Sequence, residues 1–446
     1  MRNHTTDMTA GNPARHILLF ALPALIGNVF QQVYNFADSV IVGRFVGPDA
    51  LAAVGATSSI TFLFFALCNG IASGGGIIVS QYYGAHDDEN VRKSIVNTGI
   101  IMLIFPAMVG TAGFISAKGI LRLLQTPADI MAGSASYIRY MCVGIIFVSL
   151  YNYITAMLRA LGDSRSPLYF LILSTLINVG LDMLFVYRFS MGIKGAALAT
   201  IISQFIAAAS CGIYAYKTNP YFRLKREDLT YVPALSFQII RLGVPMSLQF
   251  GLIAISSMAV QRIVNHYGTT VVAAFTATNR IEQLIHQPYA TLSAALSTFC
   301  GQNYGARRLD RVNTGYRHGL VIMVCITSLM TIAMQFFGGA ITSLFVSDPD
   351  IIALGAAGLR ITSIFYLALG LIYVVRGVLT GTGDAFFALF NGVVEVIGRF
   401  TIPILITQYM GMGERGIWLA SGIVWVLSGS TAWLRLKSRS SQILAR

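Results

Sequence analysis

Gln81-Tyr82-Tyr83-Gly84-Ala85 is nearly repeated by Gln302-Asn303-Tyr304-Gly305-Ala306, 221 residues later. At the same offset Val91 matches Val312, and Leu158 with Gly162-Asp163 matches Leu379 with Gly383-Asp384. Gly192, Gly195, Leu198 and Ala199 match Gly413, Gly416, Leu419 and Ala420, and Ala52-Ala53 matches Ala273-Ala274. Pro23 matches Pro245 with a one-residue slip. A single offset that fits several separated motifs marks a duplication.

The unit that is duplicated is apolar. Of 446 residues 55% are hydrophobic and 11% charged, where a soluble domain carries roughly a quarter charged residues. The mean hydropathy is +0.68. Twelve continuous apolar runs lie near residues 16–43, 50–80, 93–115, 132–158, 166–188, 194–216, 238–265, 271–300, 315–340, 351–380, 386–410 and 414–435. Each can supply the roughly 20 apolar residues a spanning helix needs, and they are continuous rather than alternating, as helices and not barrel strands require. The expected fold is an all-α membrane protein of twelve transmembrane helices in two six-helix repeats. Six is even, so the copies share one orientation, the parallel-repeat plan of some secondary transporters. Residues 1–216 form the expected N-terminal lobe, 217–236 a basic cytoplasmic linker with Pro220 and Pro233, and 237–446 the C-terminal lobe. Such repeats place a substrate cavity between lobes near the bilayer midplane.

The net charge of +13 reports topology. With both termini inside, cytoplasmic segments hold about 20 Lys and Arg against about seven outside, the positive-inside bias. The multi-pass chain is therefore expected in the cell inner (cytoplasmic) membrane. The lipid bilayer is its partner, and no persistent basic face points to nucleic acid. Cys68, Cys142, Cys211, Cys300 and Cys325 all fall in apolar runs without a Cys-x-x-Cys pair, and read as small buried hydrophobes. The first run lacks a small-residue cleavage pattern and reads as a retained helix.

Polar residues inside spans are costly and face interiors or water-filled cavities. The first helix carries Gln31, Tyr34, Asn35 and Asp38, spaced 3, 1 and 3 and so on one face. The fifth carries Asn178 and Asp182, four apart, and the sixth Thr200. Carboxylates, an amide oxygen and a hydroxyl are oxygen donors that suit a hard cation, and paired carboxylates also suit a carried proton. Bracing of helices is the structural alternative. Asp38 and Asp182 correspond to Val260 and Pro403 in the second half, so the acids belong to one lobe only, which favours a functional site there. The eighth helix carries Asn279, Glu282, His286 and Ser293 on one face, followed after His286 by Pro288. Glu282 and His286 could exchange a proton or form a static pair, or Glu282 could pair with Arg280. Glu395 and Arg399, four apart, read as a structural ion pair. Sixteen Met, 27 Phe and 20 Tyr suit an adaptable cavity, although aromatics also fill any helical core.

No Gly-x-x-x-x-Gly-Lys-Ser/Thr loop is present, so nucleotide hydrolysis is not the expected energy source. Gly74-Gly75-Gly76 lies in an apolar helix and reads as close helix packing. Without an esterase elbow or His-Glu-x-x-His site, the chain does not read as an enzyme, and no organic cofactor is expected.

These residues together resemble the multidrug and toxic compound extrusion (MATE) family over nearly the full chain. Pro23 with Asp38, the duplicated Gln-x-Tyr-Gly-Ala, Arg159-Ala160-Leu161-Gly162-Asp163 with Gly381-Thr382-Gly383-Asp384, Asn178 with Asp182, and Gly195-Ala196-Ala197 carry the resemblance. It implies a V-shaped pair of six-helix lobes, alternating access, and antiport of small organic, often cationic, drugs or metabolites against H⁺ or Na⁺. The DinF-like branch holds its cation at positions that match Asp38, Asn178, Asp182 and Thr200, and bends its first helix at the proline, here Pro23. The NorM-like branch uses acids of helices seven and ten, and residues 238–265 and 351–380 contain none. A related family with the same general architecture flips lipid-linked precursors, the alternative function. The duplication supplies both lobes within one chain, so a monomer is expected.

Overall fold

The computed structural model describes residues 4–124 and 126–443, without the side chains of 33, 35–40, 43, 48–51, 254, 255, 257, 259 and 441. Among the described residues there are helices and no strands. In chain order the helices are α1 (Pro13–Phe45), α2 (Pro48–Gly84), α3 (Asp88–Leu123), α4 (Ala128–Ala160), α5 (Arg165–Asp182), α6 (Gly192–Thr218), α7 (Pro233–Asn265), α8 (Thr269–Gly305), α9 (Leu309–Thr342), α10 (Pro349–Ser363), α11 (Tyr366–Gly381), α12 (Ala385–Ile404), α13 (Arg415–Ser438) and the short α14 (Ser440–Ile443). α10 and α11 are one rod bent by 52°, so the described residues form twelve long rods, six in each half.

Nine helices among the described residues are long and apolar enough to cross a bilayer, and the bent pair makes a tenth. α8 has 37 residues, ample length at about 1.5 Å per residue, but Asn279, Arg280, Glu282, Gln283, His286 and Gln287 interrupt its apolar surface. The chain is an all-α membrane protein. α8 and α9 run through their prolines or glycines without a break; Pro288 leaves α8 continuous.

The duplication is written in the backbone. Left-handed conformations recur 221 residues apart at Gly47 and Gly268, His86 and Arg307, Gly162 and Gly383, Ser190 and Gly411, and Gly192 and Gly413. These are the sharp turns between rods, where a glycine meets no Cβ penalty. α5 passes into a π-turn at Met183–Arg188 and α12 into another at Leu405–Tyr409, so the two halves also share a widened helix at matching places in the repeat.

Two compact units result. One comprises Met1–Asp7 with Pro23–Ser247, the other Met8–Leu22 with Leu248–Arg446. Their boundaries fall inside α1 at Leu22/Pro23 and inside α7 at Ser247/Leu248, each beside the proline that the sequence repeat aligned.

In the first unit small residues let backbones close. A Cβ on Gly74 would stand 2.6 Å from the Gly243 nitrogen of α7, and one on Gly75 would stand 2.4 Å from the Thr98 side chain of α3. Leu235 and Ile239 of α7 join Cys68, Ile71, Met102 and Ile145 in a buried cluster. The segment before α7 is tied down as well. Asn97 Nδ2 donates to the Thr230 carbonyl at 3.0 Å, and Asn97 Oδ1 accepts from Val232 N at 2.8 Å and Ser236 Oγ at 3.1 Å.

The second unit treats the segment before α1 in the same manner. Met8, 1% exposed, packs into the core with Ile17, Phe20 and Phe299. Its N–H donates to Gln302 Oε1 at 2.9 Å, and its carbonyl accepts from Asn303 Nδ2 at 3.1 Å and Arg311 Nη2 at 3.0 Å. Arg308 Nη1 donates to the Thr9 carbonyl at 2.9 Å. The second copy of the repeated motif thus pairs the polar backbone of an otherwise bare strap. Four of the five cysteines are buried and Cys325 is exposed; all are free thiols.

Candidate functional site

Polar groupings interrupt the apolar rods in both units. In the first unit, α5 carries Ser174, Asn178 and Asp182 at steps of four, all buried, the last two fully. α6 faces them with Thr200, Ser203 and Gln204. Asn178 Nδ2 donates to Thr200 Oγ1 at 3.5 Å, and Ser174 Oγ donates to the Ser203 carbonyl at 3.3 Å. Gln204 Nε2 donates to Ser174 Oγ at 3.4 Å. α1 contributes Tyr34, whose hydroxyl lies 3.4 Å from Thr200 Oγ1. Thr200 in turn donates to the Ala196 carbonyl at 3.2 Å, the back-bond to its own helix.

The structure therefore brings Tyr34, Asn178 and Thr200 together, with Asp182 one turn along from Asn178. Gln31 and Tyr34 are partly exposed. Asn35 and Asp38 lie on α1, and their side chains fall outside the described residues. The side chains at Thr200 are hydroxyl and amide groups, with the Asp182 carboxyl one turn along α5, a set of oxygens that accommodates a proton or a hard monovalent cation. Ser174, Ser203 and Gln204 were not singled out from the sequence. The step of four that links Asn178 to Asp182 reaches Ser174 when run backwards, and that was the available signal.

The second unit fills the corresponding place differently. At the offset of 221, Ser174, Asn178 and Asp182 become Glu395, Arg399 and Pro403. Glu395 Oε1 lies 3.2 Å from Arg376 Nη2 of α11 and accepts from Ser428 Oγ of α13 at 3.2 Å. Arg376 Nη2 also donates to Asn391 Oδ1 at 2.8 Å. Arg399 Nη2 stands 3.9 Å from Glu395 Oε2. The sequence paired Glu395 with Arg399 alone; the closer partner is Arg376, which comes from another helix and has no sequence spacing to betray it. This knot closes the stripe by internal pairing.

On α8, Asn279, Glu282 and His286 are partly exposed. His286 Nδ1 lies 3.2 Å from the Tyr373 hydroxyl, and its ring meets those of Tyr373 and Trp425 edge-on at 6.0 and 5.9 Å. Glu282 makes no ion pair within 4.0 Å among the described residues, neither with His286 nor with Arg280, and its Oε1 is buried without a hydrogen-bond partner. Among the described residues no group of three or more His, Cys, Asp or Glu is arranged to hold a metal ion.

The MatE family model matches residues 23–184 and 245–402. The chain belongs to the MatE family. The two matched segments open at Pro23 and Pro245, the first at the unit boundary in α1 and the second three residues before the boundary in α7. Among curated MatE relatives, the probable multidrug resistance protein YpnP of Bacillus subtilis is 32% identical over 431 residues, 96% of each chain. The FAD transporter of Shewanella oneidensis is 24% identical over 422 residues, 93% of this chain and 92% of its own. Among solved structures, a transporter of the MOP superfamily from Pyrococcus furiosus, described as having a binding pocket of reversed polarity, superposes with a TM-score of 0.92 at 22% identity over 99% of both chains. That likeness shows that the two chains share one fold. As a MatE protein it is a multi-pass membrane transporter of the multidrug efflux family.

Proposed function

We propose that the protein is a secondary antiporter of the DinF-like branch that exports small organic compounds in exchange for H⁺ or Na⁺. The observation that carries this reading is the unpaired symmetry of the two units. α5 of the first unit presents Asn178 to Thr200, beside Tyr34, with a fully buried Asp182 one turn along, whereas α12 of the second has Arg399 and Pro403 at the positions of Asn178 and Asp182. A fixed guanidinium repels a cation. An acid among neutral oxygens takes one up and gives it back.

In the mechanism, Asp182, Asn178 and Thr200 hold the coupling cation, with Asp38 as the acid that α1 adds. Tyr34 sits on the same helix as Asp38, so loading of the site is felt along α1. Pro23 lacks an N–H to complete the helical ladder and lies at the unit boundary, which makes it the natural hinge. Bending there lets the cation and the organic compound exclude one another. Each weakens the other's binding by the same factor, as linkage requires. The names of the relatives span multidrug resistance and FAD transport, so organic compounds as a class, rather than cations alone, form the proposed substrate range. No organic cofactor takes part, and one chain is the working unit.

The basic residues Lys217 at the end of α6, Arg223, Lys225 and Arg226 before α7, Arg307 and Arg308 before α9 and Arg311 in its first turn support cytoplasmic placement of those ends and of both termini in the inner membrane. The test is export of ethidium from proteoliposomes under separately imposed H⁺ and Na⁺ gradients. Transport that follows one gradient in the wild type and disappears in Asp182→Asn and Asp38→Asn supports the reading. Normal transport in both variants sinks it.

A further inference from the structure

The second unit holds an acid that the exchange site of the first does not use. Glu282 projects from α8 at the level where α10 and α11 meet at their 52° bend. Thr362 and Tyr366 flank that bend, and the Glu282 carboxyl lies against the first and within electrostatic reach of the second. Two buried oxygens there, Glu282 Oε1 and the Tyr366 hydroxyl, have no hydrogen-bond partner among the described residues. Tyr366 is 0% exposed, while Glu282 keeps partial access.

An ionised carboxylate inside a span needs a cation or several donors. The charged groups around Glu282 are otherwise engaged. On α8, His286 is tied through Nδ1 to Tyr373. On α11, Arg376 is held by Asn391 and Glu395. On α12, Glu395 is bonded to Arg376 and Ser428, and Arg399 leans toward Glu395. From α9 and α13 the facing side chains near this cluster are the neutral Thr327 and Trp425. Arg399 lies within electrostatic reach of the carboxyl and makes no ion pair with it.

We infer that Glu282 is a second cation-exchange site of this transporter, one that takes a single proton, with Thr362 and Tyr366 as its hydroxyl neighbours at the bent helix. Release breaks the carboxyl O–H bond, leaves the electron pair on the carboxylate, and passes the proton to water. The bend gives the site a means of coupling: a change in its angle moves Thr362 and Tyr366 against α8 and alters what the carboxyl meets. The inference holds whether the first unit takes H⁺ or Na⁺.

The test is difference infrared spectroscopy of the full chain in lipid nanodiscs, stepped in pH between about 5 and 9, the range in which a buried carboxyl of this kind exchanges. The expected result is a protonated-carboxyl band that titrates in the wild type, disappears in Glu282→Gln and persists in Asp182→Asn. Loss of a separate band in Asp182→Asn bears only on the first unit, so the two readings stand or fall apart. Tyr366→Phe, which keeps the acid, should shift both the band and its midpoint. A band that survives Glu282→Gln, a band that does not titrate, or one that Tyr366→Phe leaves unmoved overturns the inference.

Discussion

Arg376 Nη2 lies 3.2 Å from Glu395 Oε1, and this ion pair joins α11 to α12 inside the apolar zone of the second unit. Ser428 of α13 donates to the same carboxylate oxygen at 3.2 Å, so three helices meet at one acid. Removing one member of a buried pair strands the other, at a cost of about 3–5 kcal/mol. Glu395→Ala should lower thermal stability in detergent by an amount of that order. The double variant Arg376→Met with Glu395→Leu should recover most of the loss. If the single variant melts with the wild type, the knot does not brace the unit.

Thr200 is a neutral neighbour of the proposed cation site, in contact with both Asn178 and Tyr34. Thr200→Ala removes one hydroxyl while sparing the acid, and a neutral hydrogen bond is worth about 1 kcal/mol. A loss of about fivefold in apparent affinity for the coupling ion is expected, against abolition in Asp182→Asn. Ion titration of ethidium export in proteoliposomes distinguishes the two. An unchanged titration would remove Thr200 from the site.

Gly74 of α2 and Gly243 of α7 approach so closely that a Cβ on Gly74 would meet the Gly243 nitrogen at 2.6 Å and its Cα at 2.8 Å. Backbone cannot swing aside as a side chain does. Gly74→Ala should therefore destabilise the first unit by about 1–3 kcal/mol, the usual range for overpacking. Gly119, which has open space around its position, is the control: Gly119→Ala should be neutral or slightly stabilising, since alanine is the better helix former. Equal melting of the two variants would show that α7 does not press on α2.

Asp228, in the segment before α7, is 4% exposed. Burial by itself opposes its ionisation, but the Lys225 N–H at 2.8 Å and Arg92 Nε at 3.2 Å outweigh it and hold its carboxyl below the ordinary value. A lowered carboxyl contributes stability that is complete above the ordinary value, near about 3.9, and is lost as pH falls through the folded-state value. Thermal midpoints of the wild type should thus hold steady down to about pH 5 and fall below about pH 4. Arg92→Gln should flatten the part of that fall that is due to Asp228. A slope that survives the substitution unchanged would assign it to other carboxyls.

Some of the site was readable because it is local. Asn178 and Asp182 share a helix face by their spacing alone, and the unlike residues Arg399 and Pro403 at the matching positions already marked the first half as different. Arg376 could not be found that way. It reaches Glu395 across a helix interface, and only a spatial neighbour supplies the donor. The same holds for Met8, whose backbone is bound by Gln302 and Asn303 almost 300 residues on. The duplicated motif was visible as a repeat, but its work of holding the pre-helical strap depends on where the strap lies.

The sequence by itself determined the solvent, the rods and the repeat. Too few charges are available to coat a water-exposed surface, so the apolar runs must be helices in lipid. The constant offset of 221 then fixed the positions of the turns, because a left-handed residue at Gly162 or Gly192 recurs at Gly383 or Gly413. Only the tertiary structure decided which polar side chains meet. Whether Glu282 faces His286, Arg280 or the hydroxyls at the α10–α11 bend depends on how rods rotate and bend against one another. A periodicity of 3.6 residues sets the face of one helix and carries no information about the face opposite.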